Sequence, residues 1–89
     1  MLIVIEHVIT NSSDFFGLIP KVAKAPAGIK AIHFFPSTDK DRAVCLWEAK
    51  SLEALKGFFE PLSSQCSRNT YYVVDGAQAI GLPTMAAAA

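Results

Sequence analysis

Two histidines and one cysteine offer the clearest chemistry in this sequence. His7, His33 and Cys45 each lie in a separate apolar run of strand-like composition. An imidazole nitrogen and a thiolate sulfur are both good ligands for transition metals such as nickel and zinc, and an imidazole also serves as a general base. If the three side chains meet on one face of a sheet, they form a metal site with His7, His33 and Cys45 as its ligands.

The spacing of two runs predicts where His33 and Cys45 meet. The runs 29–35 and 43–47 flank a polar segment that is typical of a hairpin turn. A hairpin centred near Asp39 aligns His33 with Cys45, and the first run is expected beside the third, so both histidines and the cysteine would share one face. Two alternatives stay open. Strand histidines often only complete a hydrogen bond in the core, and a register shift of one residue moves Cys45 to the opposite face.

Aromatic and acidic side chains complete a candidate pocket. Trp47 and Tyr72 supply flat apolar walls, and the tyrosine hydroxyl can orient a polar substituent. Glu48 ends the third run, where a carboxylate at a pocket mouth can act as a general base. Core aromatics and a solvent-facing charge are the plainer alternatives. The expected small-ligand site consists of His7, His33, Trp47, Glu48 and Tyr72.

The elements that position these side chains alternate between strands and helices. The first helix is expected to begin after capping residues at 11–14 and to run to about Ala25, with Pro20 kinking it or confining its regular part to a short segment. Ser51 is the expected N-cap of the second helix, which Pro61 should distort or end. The predicted strands are 2–9, 29–35, 43–47 and 71–74.

Two strand–helix–strand units in succession predict an α+β fold of the ferredoxin-like βαββαβ type, with one antiparallel sheet and both helices on one face. The strands are apolar on both alternating sides, as Leu2–Ile9 shows best. The side without helices would be exposed in a monomer, at a cost of roughly 25 cal/mol per Å² of apolar area. We therefore expect a homodimer of domain 1–76, with 77–89 forming a C-terminal arm and a frayed tail.

Composition argues against several classes of protein. The 89 residues suffice for one domain, and 52% hydrophobic with 18% charged residues favours a folded chain. Eight basic and eight acidic residues cancel, without the basic patch typical of nucleic-acid binding. No apolar run approaches the roughly 20 residues of a spanning helix and no signal-peptide pattern is present, so we expect no membrane partner and a cytoplasmic location. Nucleotide-binding, serine-hydrolase and zincin motifs are also missing from the sequence.

Three segments carry a resemblance to a known superfamily. They are Ala43–Ala49 (AVCLWEA), Ser51–Leu55 (SLEAL) and Ala79–Pro83 (AIGLP). In this layout the chain resembles small bacterial members of the dimeric α+β-barrel superfamily, a group that includes a nickel-binding type. The resemblance spans nearly the whole chain as a pattern of elements and implies the ferredoxin-like fold. It selects no single function, because that superfamily includes cofactor-free monooxygenases, isomerases, haem enzymes and ligand or metal binders.

The sequence therefore leaves three candidate functions. The favoured one is a small homodimeric protein that holds a small ligand or a transition-metal ion, nickel or zinc, in a cavity between sheet and partner, with no other cofactor required. The second is a cofactor-independent monooxygenase or isomerase acting on a small aromatic substrate, with His7 or His33 as base and Tyr72 or Trp47 positioning the substrate. The third is a structural or interaction module without a site.

Overall fold

The computed structural model describes residues 1–82, which form a single antiparallel sheet covered by helices. The strands occur in the spatial order β2-β3-β1-β4. This topology confirms the predicted α+β fold of ferredoxin-like type. The expected frayed tail, 84–89, lies outside the described residues. The elements are β1 (Leu2–Ile9), α1 (Ser12–Phe16), α2 (Ile19–Val22), β2 (Ile29–Pro36), β3 (Arg42–Ala49), α3 (Leu52–Ser63) and β4 (Ser67–Val73).

The first helical connection consists of two short helices. Asn11 caps α1, because its Oδ1 accepts the backbone N–H of Asp14 at 3.0 Å. Pro20 lies in the first turn of α2, where a missing N–H removes no intrahelical hydrogen bond. Of the two effects expected of Pro20, confinement to short segments is therefore the one observed. The predicted end near Ala25 is wrong, because α2 ends at Val22.

The inward side of the sheet packs against the helices to form the core. Ile3, Ile5 and Trp47 are almost completely buried, as are Leu55 and Phe59 on α3. Helix α3 is the second helix predicted from the sequence. It begins as predicted after its cap, where Ser51 Oγ accepts the N–H of Ala54 at 3.0 Å. Pro61 does not end α3, which continues to Ser63. Within residues 1–82, no helix is both long and apolar enough to span a bilayer.

A register irregularity in β2 decides which side of the sheet His33 occupies. Ahead of Ile32 the pairs with β3 keep the predicted alignment, but beyond it the alignment shifts by one residue. Ile32 is the extra residue of a β-bulge. The prediction that His33 faces Cys45 is therefore wrong: His33 pairs with Leu46, and Phe34 takes the inward place opposite Cys45.

The outward side of the sheet is apolar and partly exposed to solvent. Phe35 is 62% exposed and Tyr72 is 49% exposed, while Val4 and Leu46 between them are half-buried. Asp75 and residues 78–82 lie along part of this side. The prediction that the strands carry apolar side chains on both sides is confirmed, and we call this surface the open face.

We expect Leu55→Ala to lower the free energy of unfolding by about 3 kcal/mol, since the substitution leaves a cavity beneath the sheet at a fully buried position. Glu53→Ala on the exposed side of the same helix is the matched control and should change stability by less than about 0.5 kcal/mol. Urea denaturation followed by tryptophan fluorescence measures both. Equal losses in the two variants would contradict the packing of α3 described above.

Candidate functional site

Strands β1 and β3 bring His7 and Cys45 together on the inward side of the sheet. Ile5 pairs with Cys45, and His7 is the next inward residue along β1, so the two side chains are diagonal neighbours. Nε2 of His7 lies 3.0 Å from Sγ of Cys45. His7 is only 2% exposed, and Cys45 is a buried free thiol. Two of the three predicted metal ligands thus form a contact pair in the core.

Asn69 on β4 determines which nitrogen of His7 carries the hydrogen. The amide Nδ2 of Asn69 donates to Glu60 Oε2 at 2.7 Å and to Ser63 Oγ at 2.9 Å, so its Oδ1 faces the imidazole. Nδ1 of His7 lies 2.7 Å from that oxygen. Because a carbonyl oxygen only accepts, Nδ1 must donate, and Nε2 then presents a lone pair to the thiol of Cys45. The pair is a thiol that donates its hydrogen to a neutral imidazole base.

Glu60 near the end of α3 holds Asn69 in this orientation. Its Oε2 accepts hydrogen bonds from the amide of Asn69 and from the hydroxyl of Tyr71. Ser67 Oγ also donates to Asn69 Oδ1, at 2.8 Å. Hydrogen bonds to a carboxylate are stronger than those between neutral groups, which fixes the amide firmly. We call the connected set the polar network, and it comprises Tyr71, Glu60, Asn69, Ser63, Ser67, His7 and Cys45.

Burial keeps both members of the pair uncharged. Removal from water lowers the pKa of His7, and this effect outweighs the opposing contributions of the Asn69 hydrogen bond and the Glu60 charge. Burial likewise raises the pKa of the Cys45 thiol from 9.0 to about 12. At neutral pH the proton therefore stays on sulfur while the imidazole is available to accept it.

The indole N–H of Trp47 stands next to this pair. Trp47 is 1% exposed. Among the buried side-chain nitrogen and oxygen atoms of residues 1–82, its Nε1 alone lacks a hydrogen-bond partner. Its N–H lies near enough to Cys45 to favour the thiolate and so lowers the pKa of that thiol, although the effect of burial is larger. A buried donor without a partner is costly. The N–H therefore acts on the Cys45 sulfur electrostatically, without a regular hydrogen bond.

Cys45 also forms part of the wall of an apolar cavity, which we call the ligand cavity. Its volume is about 330 Å³, and it lies between the helices and strands β2 and β3. His7 stands behind the wall, with its ring centroid 5.0 Å from that of Phe15 and 5.2 Å from that of Phe59. The cavity is lined chiefly by Phe15, Leu18, Val22, Phe34, Cys45 and Phe59.

The other predicted ligand-binding residues are dispersed. His33 stacks on Phe35 with 5.5 Å between ring centroids and reaches the edge of the ligand cavity from the bulge. Tyr72 lies on the open face, and Glu48 lies near the other end of the sheet, paired with Leu2. The structure therefore gathers His7 and Trp47 around Cys45 and separates them from Glu48 and Tyr72.

Two of the three residues of the predicted metal site are in contact. Among residues 1–82, no group of three or more His, Cys, Asp or Glu side chains is arranged to hold a metal ion. His7 and Cys45 touch, whereas His33 pairs with Leu46 on the outward side. A nickel or zinc site on these residues stays a prediction.

Sequence reasoning missed the residues that orient His7. The segment 67–70 is polar and was not predicted as a strand, yet β4 begins at Ser67 rather than at Tyr71. Ser67, Asn69 and Tyr71 recur at the period of two residues that marks one side of a strand. That alternation, beside a strand containing a buried histidine, is the signal that could have identified them.

No family model, curated protein or solved structure matched the chain. Its function is therefore inferred from the His7–Cys45 pair and the cavity beside it.

We expect the free energy of unfolding to fall as the pH is lowered from about 7.5 to about 5.5. His7 protonates at its ordinary pKa of 6.5 in the unfolded chain but has a lowered pKa in the folded one. The unfolded state therefore binds more protons in this range, and acid favours it. Urea denaturation at both pH values measures the change. His7→Gln should reduce the dependence, and His33→Gln, which removes the partly exposed histidine, should preserve it. An undiminished pH dependence in His7→Gln would refute this account.

Proposed function

We propose that this protein is a small homodimeric binding protein that holds a small, mainly apolar molecule in the ligand cavity. The main support is a cavity of about 330 Å³ whose mainly apolar wall includes Cys45. Binding pockets for small molecules begin at about 300 Å³ and combine apolar walls with a few polar groups. Burial of the ligand's apolar surface would supply the affinity, and the polar groups would set its orientation.

The polar groups indicate what the ligand carries. Cys45 and His33 are the polar members of the wall, and the thiol hydrogen is already committed to His7. Trp47 does not line the cavity, so its N–H is not offered to the ligand. The expected ligand is therefore mainly apolar, with its polar atom at the end that reaches Cys45. No further cofactor is needed for such binding.

We expect the fluorescent dye N-phenylnaphthylamine to bind the wild-type protein and to bind Ala31→Trp at least about tenfold more weakly, a loss of about 1.4 kcal/mol. Ala31 lines the cavity on the inward side of β2, so the indole introduced there would occupy the dye's space. Fluorescence titration measures both affinities.

Ala27→Trp is the matched control, since Ala27 does not line the cavity, and it should bind the dye as the wild type does. Equal affinity of the Ala31→Trp and Ala27→Trp variants for the dye would contradict the assignment of the cavity as the binding site.

The proposed partner at the open face is a second copy of the chain. Apolar side chains of moderate exposure extend across this face from Phe35 on one edge strand to Tyr72 on the other. A face of this kind can pair with itself about a two-fold axis, because the same patch is presented by both copies. A chain of 89 residues buries a smaller share of its surface on folding than a larger domain does, so an added sheet contact contributes usefully to stability.

We expect size-exclusion chromatography with light scattering to give a dimer for the wild type and a monomer for Phe35→Lys. Phe35 is 62% exposed in the single chain, so lysine is tolerated there in the monomer but would place a charge in the apolar interface. Glu53→Lys introduces the same residue on the exposed side of α3 and should leave the dimer intact. A wild-type monomer, or a Phe35→Lys dimer of unchanged stability, would reject pairing through this face.

A further inference from the structure

We propose that Cys45 is a nucleophile that adds to an α,β-unsaturated carbonyl compound held in the ligand cavity, with His7 as the base that takes and then returns the thiol proton. The inference rests on the proposed binding function, because the cavity must hold the compound beside the sulfur. It assigns the site a covalent step and a class of substrate.

The first support is the geometry of an activated nucleophile. A thiol becomes reactive when a base lies within hydrogen-bond reach and a third group orients that base. Nε2 of His7 lies 3.0 Å from Sγ, and Asn69 holds the opposite ring nitrogen at 2.7 Å. Glu60 fixes Asn69 in turn.

The second support is the chemistry of the cavity wall. Cys45 belongs to the wall, which is otherwise lined chiefly by aliphatic and aromatic side chains, and His7 lies behind it. Such a wall would hold the apolar part of a substrate against Cys45. Attack by sulfur on a conjugated carbonyl compound places negative charge on the carbonyl oxygen, and return of the proton from His7 removes that charge from the apolar cavity.

The addition is balanced without any co-reactant. Nε2 takes the proton from Sγ while the sulfur forms a bond to the β-carbon of the substrate. The π electrons of the carbon–carbon double bond move toward the carbonyl oxygen and give an enolate. The proton on Nε2 then passes to the α-carbon, which leaves a thioether and a neutral imidazole. No atom departs.

The second cysteine provides an internal comparison. Cys66 is also a buried free thiol, but its Sγ donates to the backbone oxygen of Ser63 at 3.4 Å and does not face an imidazole. It is absent from the lining of the ligand cavity. A reaction that depends on His7 and on the cavity should therefore distinguish Cys45 from Cys66 in one molecule.

The test is to incubate the protein with benzylideneacetone, an apolar enone, and to follow adduct formation by intact mass and peptide mapping. We expect one adduct per chain, located at Cys45, with a rate that saturates as the enone concentration rises. Cys66 should react at least about tenfold more slowly. Preferential labelling of Cys66, or labelling of both cysteines at similar rates, would overturn the proposal.

One variant examines the role of the neighbouring base. His7→Gln should lower the rate constant at saturation by about 100-fold, the usual contribution of a positioned base, while the half-saturating concentration changes little. An unchanged rate constant in His7→Gln would overturn the role assigned to His7. If His7→Gln fails to fold, the comparison of Cys45 with Cys66 still decides.

A saturated analogue separates failure of this inference from failure of the proposed function. Benzylacetone has the same shape but no conjugated double bond, so it should displace N-phenylnaphthylamine from Cys45→Ser without reacting. If it displaces the dye while benzylideneacetone leaves Cys45 unmodified in the wild type, the cavity binds ligands and the covalent step is wrong. If neither compound displaces the dye, both the inference and the proposed substrate class are wrong.

Discussion

A fully buried imidazole must keep both of its nitrogen atoms hydrogen-bonded, and much of this small fold is arranged around that requirement at His7. A polar atom without a partner in the core costs on the order of 1–3 kcal/mol. His7 meets the requirement on one side through Asn69 and on the other through Cys45. Asn69 is held in turn by Glu60 and Ser63, so the last turns of α3 and the start of β4 are tied to the centre of the sheet.

The same requirement explains the division between a polar and an apolar half of the core. Hydrogen-bonding side chains are concentrated between α3 and β4, where Tyr71 and Asn69 meet Glu60. On the other side of His7, Phe15 and Phe34 belong to the aromatic surroundings of the cavity. Cys45 is the point at which the two halves touch. The hydrogen-bonded network therefore runs from the partly exposed carboxylate of Glu60 to Cys45, which lines the apolar cavity.

The sequence was sufficient for the architecture and for one half of the site. Alternating apolar runs and the caps Asn11 and Ser51 act locally, so they predicted the order of elements and where the helices begin. That His7 shares one side of its strand with Ile3 and Ile5 followed from the period of two residues. Which side of the sheet this is did not follow: the site was expected between the sheet and a partner, whereas His7 lies beneath the helices, beside Phe59. The bulge at Ile32 could not be predicted, because it is decided by which aromatic ring fits beneath the helices once the sheet has formed. The role of Asn69 could not be predicted either, because it depends on His7, which lies 62 residues earlier in the chain.

The bulge at Ile32 has a consequence for how this fold could change in evolution. Because sides alternate along a strand, the single extra residue decides whether a phenyl ring or an imidazole faces Cys45. A hairpin whose loop length permitted regular pairing throughout would place His33 inward beside His7 and Cys45 and send Phe34 to the outside. Loss or gain of one residue, with no substitution in the strands, would then exchange an apolar cavity wall for a cluster of two imidazoles and a thiol. Insertions and deletions in this hairpin, more than substitutions in the core, are the route by which relatives of this chain would diverge in chemistry.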